Sequence, residues 1–285
     1  MTASIAGAPI AMKLEFLQYT GSFKARGAFN RMVSADLPQA GVVAASGGNH
    51  GAAVAFAARK LGVPASIYVP APTPHAKLAR IAAYGARVVP GGAAYAEALE
   101  ASRRFQAESG AMEVHAYDDA AVLAGQGTVG LEFEADAPGL THVLVAVGGG
   151  GLIGGIASWY SGRGAKVVGI EPETCPTWHA ARQAGRPVPV SVSGLAADSL
   201  GARQVGKLMF EVAMANAVEA VLVTDAAIAA AQAYLWSELR IVAEPGGAAA
   251  LAALLSGTWV APPGARVGIV LCGANTDPAM VARET

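Results

Sequence analysis

Charge is scarce in this chain: 14% of its 285 residues are Asp, Glu, Lys or Arg, and the formal net charge is −1. Such a balance gives no basic field for a nucleic-acid backbone, and no local cluster of lysines and arginines supplies one, so nucleic acid is excluded as a partner. Cysteine is nearly absent too. Cys175 and Cys272 stand far apart, too few for a disulfide framework or a four-ligand zinc site, and they fit a cytoplasmic protein. No basic start leads into an apolar run, and no stretch reaches the roughly eighteen uninterrupted apolar residues that cross a bilayer, so export and a membrane partner are not expected. What remains is abundant apolar material, 53% of the chain, enough to bury a sizeable core in one large domain or two smaller ones. The ligand is expected to be small.

Short apolar runs alternate with Ala-rich stretches of helical character, the pattern of strands separated by helices in an α/β sheet. Strands are read at 42–46, 65–70, 86–90, 142–148, 166–171 and 266–273, and helices at 49–61, 75–84, 94–109, 126–136, 152–162, 200–215, 225–240 and 246–256. All-apolar strands of this kind suit mostly parallel sheets covered by helices. A first βα cluster occupies 41–118 and is read as a small domain; residues 1–40 and 119–285 are read as a large one. The stretch 174–199, with Pro176, Pro187 and Pro189, reads as loop.

Lysine occurs only six times, and Lys24 sits in QYTGSFKARG, where a turn hands over to a helix. Four other turns carry chemistry. In THVLVAVGGGGLIGGIA a strand runs into Gly148, Gly149, Gly150 and Gly151 and then into an apolar helix. Side-chain-free residues there let backbone N–H groups converge on a phosphate, aided by the helix dipole; a tight turn alone would need one or two glycines. The same segment satisfies G-x-G-x-x-G through Gly149, Gly151 and Gly154, with Glu171 closing the next strand, so a dinucleotide site is a rival reading. In ASGGNHG, Ser46, the N–H groups of Gly47 and Gly48, and Asn49 form a donor-rich helix start suited to a carboxylate. His50 is given no catalytic role. In LCGANTD, Cys272 ends the last strand at the sheet edge where open α/β folds bind ligands. In AEPGGAAALAALL, Glu244 precedes a helix, as a dipole-favoured acid or as a binding group.

In order, KLEFLQYTGSFKARGA, ASGGNHG, GQGTVGLEF, VAVGGGGLIGGIA, VVGIEPE, EPGGAAALAAL and LCGAN resemble the serine/threonine dehydratases, pyridoxal-phosphate enzymes of the two-lobed tryptophan synthase β-like fold (fold type II), over nearly the whole span from Lys13 to Asn275. The resemblance implies that Lys24 links covalently to pyridoxal 5'-phosphate and later removes the substrate's α-proton, shielded by Phe23. It implies that Gly148 to Gly151 grip the cofactor phosphate, Asn49 donates to the ring hydroxyl, Glu244 lies in the cofactor site, and Cys272 faces the ring nitrogen. Ser46, Gly47 and Asn49 would take the substrate carboxylate. The implied reaction is β-elimination from L-threonine, L-serine or a β-substituted serine, giving a 2-oxo acid and ammonia, in a homo-oligomer, by expectation a dimer. In related serine racemases a serine at the position of Gly47 acts as second base, so little racemase activity is expected here.

The chain departs from that family in three places. The segment before Lys13 is short, so an abbreviated large lobe is expected. The stretch 190–194 holds no acidic residue, and no metal is predicted. No regulatory domain is expected after residue 285, which points to a catabolic role. The alternatives are another reaction on the same scaffold, amino-acid racemisation or β-replacement, or a non-catalytic cofactor- or dinucleotide-binding protein.

Overall fold

A computed structural model describes residues 1–5 and 8–282. The chain forms two compact units, Met1–Phe23 with Gln126–Thr285, and Lys24–Gly125.

The first unit is built on a six-stranded sheet in the order β1-β2-β10-β7-β8-β9, where β1 is Thr2–Ile5, β2 Ala8–Leu14, β7 His142–Ala146, β8 Lys166–Pro172, β9 Glu219–Val223 and β10 Val267–Leu271. Only β1 runs antiparallel to its neighbour. Central strands such as β10, VGIVL, are buried along their whole length, as a parallel strand covered on both faces must be. Against them lies α11 (Pro245–Leu255), PGGAAALAALL, packed on β7, β8, β9 and β10. Its small side chains bring the helix close to the sheet, and its buried, all-apolar surface explains why no amphipathic period shows. The core of this unit joins Leu144, Ile153, Ile170, Trp178, Met209, Leu235 and Leu271.

The second unit carries a four-stranded parallel sheet in the order β5-β4-β3-β6, with β3 Val42–Ala45, β4 Ala65–Val69, β5 Arg87–Pro90 and β6 Met112–Glu113. Helices α1 (Lys24–Val33) and α2 (Asn49–Leu61) pack together, and Met32, Val54, Ile67 and Ile81 centre its core. Sequence patterning drew this unit over 41–118; it runs from Lys24 because α1 packs on α2, and it reaches Gly125 because α5 (Ala120–Asp136) begins early. Asp119 sets that start, its Oδ1 accepting the N–H of Val122 at 3.0 Å, an acidic cap on orphan donors.

Several elements depart from the expected ones. β1, β2, β6 and β9 were not anticipated, and the opening residues supply two strands of the large sheet. Within the stretch read as loop, α7 (Thr177–Ala184) begins directly after Pro176; proline ahead of a first turn starts a helix as readily as it breaks one. The helix expected over 200–215 is two, α8 (Ala197–Leu200) and α9 (Lys207–Ala215), separated by Gly201 and Gly206.

Candidate active site

In the first unit the phosphate-type turn follows β7 and opens α6 (Gly151–Tyr160). Gly150 caps that helix with φ +90° and no side-chain cap bond, so the first N–H groups of α6 are left to a ligand. A Cβ on Gly150 would lie 2.3 Å from Met209 Cγ, and one on Gly148 3.2 Å from the Leu200 backbone: position 150 has room only for glycine, and position 148 is closely packed. Successive carbonyls are held from behind. Thr177 Oγ1 donates to Gly148 O at 2.7 Å, Gly206 N–H to Gly149 O at 3.0 Å, and Gly154 N–H to Gly150 O at 2.8 Å. A trans peptide sets each N–H opposite the preceding carbonyl, so pinning the oxygens turns the following N–H groups the other way, into an anion-binding nest.

The adjacent strand β10 ends at Leu271, one residue before Cys272, so both turns lie at the C-terminal edge of one parallel sheet, where such folds bind ligands. The turn ahead of Lys24 is laced to this edge. Phe23 N–H donates to Cys272 O and Ala274 N–H to Gly21 O, each at 3.1 Å, and Asn275 Nδ2 donates to Thr20 O at 2.9 Å. Thr20 is held at φ +60°, a left-handed conformation that a β-branched residue adopts only under constraint. The Cys272 thiol is buried and donates to Gly246 O at 3.4 Å. Glu244, also buried, donates its N–H to Gly273 O at 3.1 Å, and its carboxylate lies so close over Gly273 that a Cβ there would come within 2.1 Å of Oε1. Phe23, Glu244 and Cys272 are thus brought together, with the glycine turn on the neighbouring strand.

In the second unit Lys24 is the first residue of α1, and its Nζ donates to Ala116 O at 2.7 Å. Burial pushes the His50 imidazole down to about 3, with the Lys24 charge adding to it, and pushes the His115 imidazole down as well. His50 Nε2 therefore donates, as a neutral ring, to Val114 O at 2.7 Å, while His115 Nδ1 accepts the N–H groups of Tyr117 and Asp118. Two neutral imidazoles beside the amine add no positive charge to its surroundings. Ser46, Gly47 and Asn49, all half-buried, follow β3. Gly48 N–H donates to Ser46 Oγ at 3.2 Å, leaving the hydroxyl proton for a ligand. A Cβ on Gly47 would meet Thr73 Cγ2 at 2.6 Å and Oγ1 at 2.7 Å, and Thr73 is held there by donating to Pro70 O at 2.7 Å.

The rival dinucleotide reading is overturned by Glu171. This side chain is fully buried, and both its oxygens serve α7: Oε1 accepts Trp178 N–H at 2.6 Å and Oε2 accepts His179 N–H at 2.8 Å. No oxygen is exposed for a ribose. Ala116, His115, Thr73 and Thr177 were not singled out from sequence, because each acts through a partner far along the chain or through its backbone. Among the described residues no group of three or more His, Cys, Asp and Glu could hold a metal ion, and no helix is long and apolar enough to cross a membrane.

The residues present fit pyridoxal phosphate: an amine at a helix start, an uncapped glycine nest for the phosphate and a buried thiol at the sheet edge. Comparison with known proteins agrees. The family model "Pyridoxal-phosphate dependent enzyme" matches residues 2–273. The chain is 39% identical over 285 residues to an L-threonine ammonia-lyase of Thermotoga maritima, covering 99% of this chain and 71% of that one. It is 36% identical to a phenylserine dehydratase of Ralstonia pickettii, over 98% and 87% of the two chains. Among solved structures it is similar to maize serine racemase, with a TM-score of 0.92, 30% identity, and coverage of 99% and 90%.

Proposed function

Because the chain belongs to the family of pyridoxal-phosphate dependent enzymes, we propose that it is an ammonia-lyase that eliminates the β-hydroxyl of L-threonine, L-serine or a β-substituted serine, releasing a 2-oxo acid and ammonia. The observation that carries the reading is Lys24: a scarce lysine opening α1, behind a strained Thr20-Gly21 turn, its amine aimed at a carbonyl and flanked by neutral histidines. Relatives named for threonine and phenylserine support this substrate class.

When bound, the cofactor supplies an electron sink for the pair left on the substrate's α-carbon. Everything else is work for this chain. Lys24 would anchor the cofactor and, with its amine free, would take the α-proton at Nζ, the atom that Ala116 O holds in place. Ser46 Oγ, Asn49 and the N–H groups of the Gly47-Gly48 turn hold the substrate carboxylate and so present the α-hydrogen. Gly148 to Gly151 would hold the cofactor phosphate through N–H groups, and Phe23 would cover its ring. The Cys272 thiol would serve the nitrogen end of the cofactor; unlike a carboxylate it would not keep a ring nitrogen protonated, which would favour elimination over transamination.

A racemase reading is supported by the maize neighbour, but Gly47 offers no second base, and the space a side chain would need is filled by Thr73. From the sequence we also infer a cytoplasmic homodimer. The decisive experiment is the visible spectrum of the purified protein, followed by borohydride reduction and peptide mapping. Cofactor mass on the Lys24 peptide, together with 2-oxo acid release from L-threonine, L-serine or L-phenylserine, is expected. Unmodified Lys24 in a protein that cannot be reconstituted would overturn the proposal.

A further inference from the structure

Counting protons around Thr177 exposes a mismatch. Thr177 Oγ1 lies 2.7 Å from Gly148 O and 3.0 Å from Glu171 Oε1. Were Glu171 ionised, both neighbours would only accept, and the hydroxyl has a single proton to give. A charged carboxylate would win it, leaving two lone-pair oxygens facing each other at 2.7 Å. A proton on Glu171 resolves the conflict: Oε1–H donates to Thr177 Oγ1, and Oγ1–H donates to Gly148 O.

We propose that Glu171 and Thr177 are positioning residues for the phosphate turn, a chain of hydrogen bonds in which protonated Glu171 orients the Thr177 hydroxyl, which pins Gly148 O and thereby aims the N–H of Gly149 at the phosphate. The proposal rests on the reading that Gly148 to Gly151 hold that phosphate. Of the three bonds that pin the turn's carbonyls, this is the one made by a side chain, so it can be altered without touching the turn. Thr177 and Glu171 are both fully buried, which keeps water from substituting for either.

The electrostatics agree. Burial pushes Glu171 up to about 7, outweighing the donors of the α7 terminus that pull it down. Its surroundings contribute little charge. Helices α6 and α11 carry no charged side chain, β7 brings only His142, paired with Lys166 at the far end of β8, and β9 brings Glu219, opposite Val168. From α7 come His179, whose ring meets exposed Gln183, and Arg182 in the last turn; Cys175, whose thiol donates to Ser193 O, lies just ahead of that helix.

The test uses the reconstituted enzyme and reads cofactor dissociation constant and the phosphorus NMR shift of bound pyridoxal phosphate, with circular dichroism as the check on folding. Thr177→Val is expected to weaken cofactor binding about tenfold and move the phosphorus signal, and Thr177→Ser to restore both. Glu171→Gln, whose amide donates to Thr177 as the protonated acid does, is expected to bind as wild type at pH 6.5 and to lose the weakening that wild type shows toward pH 8.5. Gly150→Ala, which disturbs the turn itself, separates the two readings. If Gly150→Ala weakens binding while folded Thr177→Val binds as wild type at every pH, the positioning role is overturned and the cradle stands. If folded Gly150→Ala binds as wild type, the cradle reading falls, and this inference with it. A Glu171→Gln protein with the wild-type pH dependence overturns the proton on Glu171.

Discussion

The N–H of Phe23 donates to the carbonyl of Cys272 at 3.1 Å, joining residues 249 positions apart. The bond ties the turn that delivers Lys24 to the end of β10, where the thiol lies within reach of Gly246 O and close to the buried Glu244. The proposed role of Cys272 toward the cofactor is open to a direct chemical test. Cys272→Ser is expected to keep lyase activity within about threefold, since the two side chains are of similar size, each has one hydrogen to donate, and neither carries a charge. Cys272→Asp should raise the yield of pyridoxamine phosphate per turnover several-fold, and should lower stability by about 1–3 kcal/mol by burying a second carboxylate beside Glu244. Chromatographic quantification of the cofactor after turnover decides it; an unchanged yield removes Cys272 from the ring nitrogen.

Lys24→Ala removes both the anchor and the base. Loss of a positioned general base lowers rates by about 10²–10⁴, so kcat/KM for L-threonine should fall at least that far, and borohydride should fix no cofactor on the chain. The fold should survive, because Lys24 is half-buried and lies outside the buried core. A variant that folds and retains substantial turnover would contradict the assigned role.

Gly47→Ser tests why this chain is read as an eliminating enzyme. The new Cβ would fall 2.6 Å from Thr73 Cγ2, and overpacking of this kind costs roughly 1–3 kcal/mol, which thermal unfolding should register. Adding Thr73→Ala is expected to recover the lost melting temperature. Racemisation of L-serine, followed by chiral chromatography, should rise in the double variant above the wild-type level. If the single variant is as stable as wild type, Thr73 does not fill that space.

Stability should depend on pH through two buried groups with opposite signs. Glu171 is raised to about 7 in the folded state, so its contribution is fully present below the usual carboxylate range and is lost as pH rises through about 7. His50 is lowered to about 3, so its contribution is present above the usual histidine range near 6.5 and is lost as pH falls toward 3. Subtracting variants separates them. Relative to Glu171→Gln, wild type should lose on the order of 3 kcal/mol between pH 4.5 and 7.5, measured by denaturant unfolding at several pH values; a flat difference would show that Glu171 titrates normally.

Much of the fold can be read from local pattern. The strands at 42–46 and 65–70 and the helices at 49–61 and 225–240 lie within a residue or so of β3, β4, α2 and α10 (Asp225–Leu239), because each is bounded by a turn or cap encoded in neighbouring residues. The elements that escaped notice depend on distant partners. β2 gains its register from β10, with Met12 beside Ile269, and the two-residue β6 exists only through pairing with Val42 and Val43. At the site, Gly148 to Gly151, Ser46 and Asn49 are visible as contiguous turns, whereas Glu171 lends itself to a rival dinucleotide reading because its strand position is visible and its partners in α7 are not.

Composition and the ordered turns by themselves pointed to an α/β protein with a small ligand, through a glycine-rich strand-to-helix turn, a donor-rich turn and one lysine at a helix start, and the resemblance those turns carry pointed to the family. Backbone conformation at such turns is set by adjacent residues, and glycine and proline announce it. Only the tertiary structure decided which oxygen holds the Lys24 amine, that Phe23 is bonded to Cys272, that Thr73 fills the space beside Gly47, and that Glu171 turns inward to Thr177. Those are choices of hydrogen-bond partner and of close packing, which depend on what the fold brings within about 3 Å, and residues so joined carry no mark of one another along the chain.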